Sequence, residues 1–301
     1  GKDGEVLIYL PIYIMKTIDT LVQDMYDLFD PLVDSNLKEE EVNAHLDSFT
    51  ESVKKTLKGL LNEVPRERGR LRLSAIGKPA RQLWYEKNSK EEPKPLESNT
   101  RIKFLYGHLL EDVLILLARL SGHVVTDLQK QVNVHGIVGH QDCVIDGVLV
   151  DCKSASGKSF QKFANDSLAT DDPFGYIAQI SAYAEGNGVD EAAFLAIDKQ
   201  HGSICLTRVH SMEMINVKER IKYLKEAVEK DSPPDRCYSD LPDGASGNRK
   251  LAIGCLYCSH NRTCWSDANE GKGLRVFKYS NGYRYLTQVK KEPNVEEVTE
   301  W

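Results

Sequence analysis

The sequence has few of the features that mark membrane, secreted or motor proteins. Its longest apolar run, Val6 to Met15, covers ten residues and includes Pro11, whereas a helix that crosses a bilayer needs about 20. No basic segment with a small-residue cleavage site opens the sequence, so we expect no secretion. No Gly-x-x-x-x-Gly-Lys-Ser/Thr motif is present, which argues against a built-in ATP-driven motor. We therefore expect a cytoplasmic protein without a membrane span.

Cysteine is absent from the first 142 residues. The second half of the chain contains all seven cysteines, Cys143, Cys152, Cys205, Cys237, Cys255, Cys258 and Cys264. An odd number without a secretory signal argues against a disulfide framework and favours metal binding or simple burial.

The composition is that of a soluble globular protein. The 301 residues are 41% hydrophobic and 28% charged, enough for one large domain or two small ones. The net charge of −6 is unevenly distributed, because residues 1–64 hold 13 acidic and 6 basic residues, whereas residues 66–103 hold 5 acidic and 11 basic. Such a basic segment is compatible with nucleic-acid binding but is weak evidence for it.

Hydrophobic periodicity predicts a helical arm followed by an α/β body with a mixed sheet. Apolar residues recur at helical spacing in two stretches of residues 5–64. This pattern indicates a hairpin of two helices that packs on the body or serves as a dimerisation or partner-binding arm. Its acidic balance makes direct contact with DNA unfavourable. The predicted helices of the body are 74–85, with Ser74 as N-cap, 102–120, 158–167, 173–185 and 213–230. The predicted strands are 130–138, 139–145, 148–153, 192–198 and 203–209. The predicted divisions are an arm (1–64), a core (65–232), a cysteine region (233–270) and a hairpin with a tail (271–301).

A predicted β-hairpin brings two carboxylates and a lysine together. The dipeptide Asp146-Gly147 between alternating apolar runs is a strong signal for a two-residue turn. The resulting register places Asp142 opposite Asp151, and Lys153 lies on the same face because alternate side chains share a face. The other face carries the core side chains Cys143, Ile145, Val148, Val150 and Cys152.

Two opposed carboxylates repel each other and require a compensating cation. Lys153 is one candidate, and a divalent ion such as Mg²⁺ or Mn²⁺, which prefers oxygen ligands, is the other. The alternative is a salt-bridged surface hairpin without chemistry. The same register predicts His140 opposite Lys153, as a DNA contact or a silent surface residue.

The pattern Asp142-x8-Asp151-x-Lys153 resembles the core of the PD-(D/E)XK nucleases, in particular their RecB-like and phage exonuclease branch. Three further segments resemble motifs of that branch in the correct order: Gly107-x3-Glu111, Gln179-x3-Tyr183 and Ser74 to Tyr85, the last similar to a Cys-Pro-Arg-Arg-Leu-Trp segment. The resemblance covers roughly residues 70–266. It implies a restriction-endonuclease-like fold, in which a mixed sheet is flanked by helices.

The resemblance also implies roles for individual residues. It implies metal ligation by Glu111, Asp142, Asp151 and the backbone carbonyl of Cys152. A metal ion at such a site activates water and offsets the charge of the transition state. Lys153 would orient or deprotonate the water. Gln179 and Tyr183 would hold the scissile-strand phosphate, with helix capping and packing as their simpler alternative.

The triplet Cys255-x2-Cys258-x5-Cys264 is similar to the [4Fe–4S] site of nucleases in this branch, and zinc is the alternative metal. The fourth cysteine of those relatives aligns with Pro79 here. Cys237, in a turn-rich segment, is the best substitute ligand, whereas Cys205 lies in an apolar strand and is assigned to the core.

Together these features predict a metal-dependent DNA exonuclease of phage or bacterial replication or recombination. A structure-selective or restriction-type endonuclease is the alternative enzyme, and a catalytically silent DNA-binding or assembly protein is the alternative of another class. The predicted partner is single- or double-stranded DNA, bound without sequence preference. The N-terminal helices would mediate homo-oligomer or recombination-partner contacts. The predicted DNA-contacting side chains are Arg66, Arg68, Arg70, Arg72, Arg81 and Trp84.

Overall fold

Two β-sheets organise the chain. A computed structural model describes residues 16–34, 37–62, 69–90 and 98–299. The helices are α1 (Leu21–Asp27), α2 (Glu39–Leu61), α3 (Ala80–Asn88), α4 (Ser98–Leu120), α5 (Lys158–Ala164), α6 (Tyr176–Asn187), α7 (Val217–Val228), α8 (Ile253–Leu256), α9 (Asn261–Cys264) and α10 (Ala268–Gly271). The strands are β1 (Val125–Thr126), β2 (Gln131–Val134), β3 (Ile137–His140), β4 (Cys143–Ile145), β5 (Val148–Ala155), β6 (Glu191–Asp198), β7 (Ile204–His210), β8 (Leu241–Pro242), β9 (Arg249–Lys250), β10 (Arg275–Tyr279), β11 (Gly282–Gln288) and β12 (Glu297–Val298).

The central sheet is mixed, as the sequence predicts. Its strand order is β1-β4-β5-β6-β7. Strands β5 and β6 are parallel, and the other neighbours are antiparallel. The crossover between β5 and β6 contains α5 and α6, the helical connection that a parallel pair requires.

Helices cover both faces of this sheet. Helices α1 and α4 pack on one face in a core that includes Leu21, Leu114 and Val150. Helices α5, α6 and α7 pack on the other face, around residues such as Phe194 and Ile180. The architecture is therefore an α/β sandwich with the sheet as its middle layer.

The N-terminal helices pack on the body, which is one of the two predicted alternatives. Helices α1 and α2 both make their most extensive contacts with α4, and α1 contributes fully buried Leu21 and Met25 to the sheet core. A buried histidine also fixes the position of α1. His123 contacts Asp146 Oδ2 through Nδ1 at 2.6 Å and Asp24 Oδ2 through Nε2 at 3.0 Å. The domain boundary at residue 64 stays a prediction.

The predicted β-turn is confirmed. Strands β4 and β5 pair with Ile145 opposite Val148 and Cys143 opposite Val150. The pairing does not extend to His140, which pairs with Gln131 in a separate two-stranded sheet of β2 and β3. The prediction that His140 lies opposite Lys153 is therefore wrong, because the chain leaves the central sheet before Cys143.

Helix boundaries follow local stop and start signals. Helix α4 ends in the arrangement typical of a left-handed glycine cap, in which the N–H of His123 donates to the Ala118 carbonyl and Gly122 has φ +85°. Helix α3 begins at Ala80 rather than at the predicted Ser74 cap. Pro79 explains the shift, since a proline disfavours helical backbone at the residue before it.

The C-terminal region forms a second five-stranded sheet in the order β12-β10-β11-β9-β8. Strands β10 and β11 make an antiparallel hairpin inside it. A small core of Leu251, Trp265 and Ala268 supports this region, with Cys255 and Cys264 packed against it. Within the described part of the chain, none of the helices is both long and apolar enough to cross a lipid bilayer.

Candidate active site

Asp151 and Lys153 lie on β5 and face α6. Asp151 is only 4% exposed, and its Oδ2 forms an ion pair with the Lys153 ammonium. Its Oδ1 accepts a hydrogen bond of 3.2 Å from Gln179 Nε2 on α6. The ammonium also lies 5.0 Å from the centre of the Tyr176 ring, a favourable distance for a cation over an aromatic face. This lysine is thus held by a carboxylate and a ring.

Asp142 lies one residue before β4, where the pairing with β5 has stopped. Its Oδ2 accepts a hydrogen bond of 2.7 Å from the backbone N–H of Cys152. The carboxylate thus replaces a strand partner at this open edge of β5. Because the N–H and C=O of one strand residue point to the same edge, the Cys152 carbonyl faces the Asp142 side as well.

Glu111 approaches from α4, on the other face of the sheet. Its Oε1 accepts a hydrogen bond of 2.8 Å from Gln129 Nε2. Burial raises the pKa of Glu111 to about 7, and the negative charge of Asp151 contributes to the rise.

The carboxylates influence one another electrostatically. Burial raises the pKa of Asp142 well above its ordinary value, and the charges of Asp151 and Glu111 add to the effect. Burial alone would lower the pKa of Lys153, but the charges of Asp151 and Asp142 outweigh it and raise that pKa. When ionised, three acidic groups around one ammonium give this region surplus negative charge, which a bound cation would relieve.

Helix α6 contributes Gln179 and Tyr183. Gln179 donates a hydrogen bond to Asp151, and Tyr183, one turn further along the same helix, is buried. Burial and the charges of Asp151 and Asp142 raise the pKa of Tyr183, so it stays a neutral phenol. Gly139 makes room for this ring, because a Cβ there would lie 2.8 Å from the Tyr183 hydroxyl.

The start of α6 is fixed by a cap and by a close backbone contact. The Asp172 carboxylate accepts hydrogen bonds from the N–H groups of Tyr176 and Ile177 at 2.9 and 2.8 Å, which satisfies donors that a helix start leaves open. Just before it, Gly175 packs against Gly77 so closely that a Cβ on Gly77 would lie 2.5 Å from the Gly175 Cα. The segment before α3 thereby sets the position of Tyr176 and the residues after it.

The donor set suits a hard divalent cation, although the side chains are not gathered around one point. Within residues 16–34, 37–62, 69–90 and 98–299, no three His, Cys, Asp or Glu side chains are grouped as ion ligands. Each carboxylate instead accepts a hydrogen bond from the protein. Asp151 Oδ2 is buried, and apart from its ion pair with Lys153 it accepts no well-oriented hydrogen bond. Carboxylate oxygens with surplus negative charge match the preference of Mg²⁺ or Mn²⁺.

Glu111 and Asp142 line a cleft of about 650 Å³. Helices α2 and α4 form two of its walls, and the segment from Leu128 to Asp142 supplies the third. Its volume lies in the range of pockets that hold small ligands. The acidic residues are therefore accessible from solvent through this cleft.

Four cysteines line a second, smaller cavity of about 30 Å³: Cys237, Cys255, Cys258 and Cys264. Pro79 lines the same cavity. Arg81 Nε donates a hydrogen bond of 3.0 Å to Cys264 Sγ. Burial raises the pKa values of Cys255 and Cys258, the latter to about 11. In the described residues these thiols share a cavity but do not form a ligating cluster.

The predicted DNA-contacting residues that the structure describes do not line the cleft that Glu111 and Asp142 line. Arg66 and Arg68 fall outside the described residues, and Arg70 and Arg72 precede the turn at Leu73. Arg81 is engaged by the protein, since its guanidinium donates to Cys264 and to the Pro234 carbonyl. The indole N–H of Trp84 donates to the Lys230 carbonyl at 2.7 Å and so anchors α3 to the end of α7.

Sequence reasoning did not single out Tyr176, Gln129 or Ser52. Tyr176 contacts Lys153, Gln129 hydrogen-bonds Glu111, and Ser52 Oγ donates to Asp112 Oδ1 at 2.6 Å. Tyr176 lies three residues before Gln179, so helical spacing alone was a usable signal for it. Gln129 and Ser52 follow no motif and depend on tertiary packing.

No protein-family model matches the chain, and no curated protein matches it. Solved structures show a distant likeness. "SSO0001" is 18% identical with a TM-score of 0.40, covering 70% of this chain and 93% of its own. LHK-Exo in complex with dAMP is 14% identical with a TM-score of 0.36, covering 54% and 90%. A phage-related exonuclease from Haemophilus somnus 129PT is 15% identical with a TM-score of 0.37, covering 54% and 91%. Scores this low do not assign the chain to a family.

Proposed function

We propose that this protein is a divalent-metal-dependent deoxyribonuclease that hydrolyses phosphodiester bonds, most simply an exonuclease of phage or bacterial DNA metabolism in the cytoplasm. The observation that carries the proposal is that Glu111 and Asp142 line an open cleft, while the buried ion pair of Asp151 and Lys153 lies near enough to influence both carboxyl groups electrostatically. A surface salt bridge does not account for it, because Asp151 is buried and the acidic groups outnumber the single lysine.

The acidic residues would hold Mg²⁺ or Mn²⁺ in this reaction. Glu111, Asp142 and Asp151 supply carboxylate oxygens, and the Cys152 carbonyl faces the same edge. The ion, when bound, supplies a water of lowered pKa and compensates charge on the phosphate. The hydrogen bonds from Gln179 and from the Cys152 N–H restrain two of these carboxylates. The restrained carboxylates would in turn fix the position of a bound ion relative to the phosphate.

Lys153 would act as a fixed positive charge beside the reacting phosphate. The Asp151 carboxylate and the Tyr176 ring hold its ammonium in place. A preorganised cation of this kind stabilises negative charge that develops in a transition state. Gln179 would hold Asp151 in position, and the buried Tyr183 would support strand β3 at Gly139.

End-labelled linear DNA with Mg²⁺ tests the proposal. We expect the wild-type protein to release nucleotides from linear single- or double-stranded DNA and to spare covalently closed circles. We expect no release in excess EDTA or by Asp151→Asn, a near-isosteric change. Cleavage of closed circles would favour the endonuclease alternative. Metal-independent binding without cleavage by a folded wild type would favour a silent DNA-binding protein.

We propose in addition that Cys237, Cys255, Cys258 and Cys264 hold a structural metal group, either [4Fe–4S] or zinc. The proposal is supported by the cavity that all four thiols line. Thiolate ligands suit both metals. Anaerobically purified protein should be brown with about four irons per chain in the first case, and colourless with about one zinc in the second.

Cys237 is the ligand that most needs a test, because the family's fourth position is Pro79 here. Cys237→Ser should lower the metal content and the melting temperature, since binding energy at such sites is folding energy. Cys205→Ser, a change in a strand away from the cavity, is the matched control. Unchanged metal content in Cys237→Ser would remove this residue from the ligand set.

A further inference from the structure

Helix α2 presents one side to the cleft that Glu111 and Asp142 line. Six residues of the helix line this cleft: His45, Ser48, Phe49, Ser52, Lys55 and Thr56. With 3.6 residues per turn, this spacing corresponds to a single helical face. The two acidic residues in the same stretch, Asp47 and Glu51, do not line the cleft. The face that meets the cleft is therefore basic and polar, although residues 1–64 as a whole carry an excess of acidic side chains.

Three hydrogen bonds hold this face against α4. Ser52 Oγ donates to Asp112 Oδ1 at 2.6 Å, and an Arg119 guanidinium N–H donates to Ser48 Oγ at 2.9 Å. At the end of α2, Arg101 donates to the Leu60 carbonyl at 3.1 Å. These contacts are spread along the helix, so α2 is a fixed wall of the cleft.

Two long basic side chains on these walls are placed to meet an anion. Lys55 is exposed, and among the described residues it forms no ion pair or side-chain hydrogen bond. Arg119 lies on the facing helix and is engaged only with a neutral hydroxyl in the contacts described. Glu111, Asp112 and Asp142 lie in the same cleft, and Asp112 is already hydrogen-bonded to Ser52. The cleft thus combines basic side chains of α2 and α4 with carboxylates of α4 and of the segment before β4.

We propose that this face of α2, together with Arg119, binds the backbone phosphates of one unpaired DNA strand and leads it to the carboxylates. The proposal deepens the nuclease function and rests on it. A groove with basic side chains and an aromatic ring is the usual way to hold a single strand without sequence preference, and Phe49 provides the ring. The cleft volume of about 650 Å³ suits a short piece of single strand.

The acidic net charge of residues 1–64 leads to the expectation that this region repels DNA. The position of its charges removes this objection, because charges more than about 10 Å apart in water are largely screened at ordinary salt. A phosphate inside the cleft is affected chiefly by Lys55, Arg119 and the nearby carboxylates, and only weakly by acidic side chains on the outer faces of α2.

Neighbouring lysines on α2 provide a matched test. Lys55 lines the cleft, whereas Lys54 does not and pairs with Glu51 at 3.0 Å. Each lysine is changed separately to alanine in a protein that also carries Asp151→Asn. Binding of a fluorescent single-stranded oligonucleotide is then measured at increasing salt concentrations in the presence of Mg²⁺. We expect Lys55→Ala to bind roughly three- to ten-fold more weakly and to flatten the slope of log K against log [salt] by about 0.7, the value for one phosphate contact on a single strand. We expect Lys54→Ala to match its parent and Lys55→Arg to restore the slope.

Steady-state cleavage by otherwise wild-type protein provides the second readout. Lys55→Ala should raise KM for single-stranded DNA, with the loss in KM rather than in kcat. If Lys55→Ala and Lys54→Ala bind DNA equally well and the wild type cleaves DNA, the strand-binding role of α2 is overturned and the nuclease proposal is not. If Lys55→Ala binds more weakly but the wild type never cleaves DNA, the strand-binding role is supported and the nuclease assignment is removed. Absence of DNA binding by the parent protein overturns both.

Discussion

A single methyl group at Gly77 should disturb the candidate active site from a distance. A Cβ on Gly77 would lie 2.5 Å from the Gly175 Cα, whereas ordinary contacts of this kind begin near 3.4 Å. Both atoms belong to backbone, so no flexible side chain can move aside. The two segments would have to separate by about 1 Å, the shortfall in that contact.

This separation would displace the start of α6. Tyr176 follows Gly175 directly, and Gln179 lies one turn later; these residues contact Lys153 and Asp151. Overpacking of this kind costs about 1–3 kcal/mol of folding free energy. A displacement of about 1 Å at reacting groups costs about 100-fold in rate. We therefore expect Gly77→Ala to lose both stability and nuclease activity, with activity the more sensitive.

Urea unfolding and cleavage of end-labelled DNA measure the two effects. Gly59→Ala is the control, because Gly59 lies inside α2 and a methyl group added there would have no atom within 4 Å. That change should stabilise the protein by up to about 1 kcal/mol through helix propensity. A Gly77→Ala protein with wild-type activity and an unchanged urea midpoint would refute the account of how α6 is positioned.

Three further outcomes are expected. Lys153→Met should reduce cleavage by at least about 100-fold, as loss of a preorganised charge does; near wild-type turnover by the folded variant removes Lys153 from the site. His123→Ala should cost about 3–5 kcal/mol in urea unfolding, because it leaves the Asp146 carboxylate buried without its imidazole; a loss below about 1 kcal/mol contradicts this. Burial acts to raise the pKa of Asp24, but hydrogen bonds from Thr20, Lys16 and His123 outweigh it and lower that pKa from 3.8. The folded state thus favours the ionised form, so this stabilisation is complete above pH 3.8 and is lost as the pH falls through the lower folded pKa. Asp24→Asn should reduce the slope of stability against pH in that acid range, and an unchanged slope contradicts the assignment.

Local signals predicted the part of the site that is close in sequence. The turn at Asp146-Gly147 sets the register of β4 and β5, so the placement of Asp151 and Lys153 on one face needed no tertiary information. The predicted register failed from Asp142 toward the N-terminus, because nothing in the local alternation shows that the chain changes sheets between His140 and Cys143. Glu111 was named from a motif, but its burial depends on how α4 packs, which periodicity does not determine.

Other features could not be determined from local signals either. The apolar spacing of α1 is the same for a docking arm and for a core helix, and only the contacts of Leu21 and Met25 distinguish these two alternatives. Strands β8, β9 and β12 contain two residues each, which is too short for any alternation to appear. The contact of Arg81 with DNA stays a prediction, and its guanidinium also donates to Cys264 and to the Pro234 carbonyl.

The placement of α1 has a consequence for the order in which the protein can fold during synthesis. The hydroxyl of Tyr26 at the end of α1 accepts a hydrogen bond from the backbone N–H of Ile204, 178 residues later. At about 5–20 residues per second, roughly 10–35 s pass between the two leaving the ribosome. Until β7 has been synthesised the central sheet is incomplete, so the apolar side of α1 is covered only in part. Completion of the sheet core is therefore a late event, and we expect truncated chains that end before β7 to expose this helix to proteases.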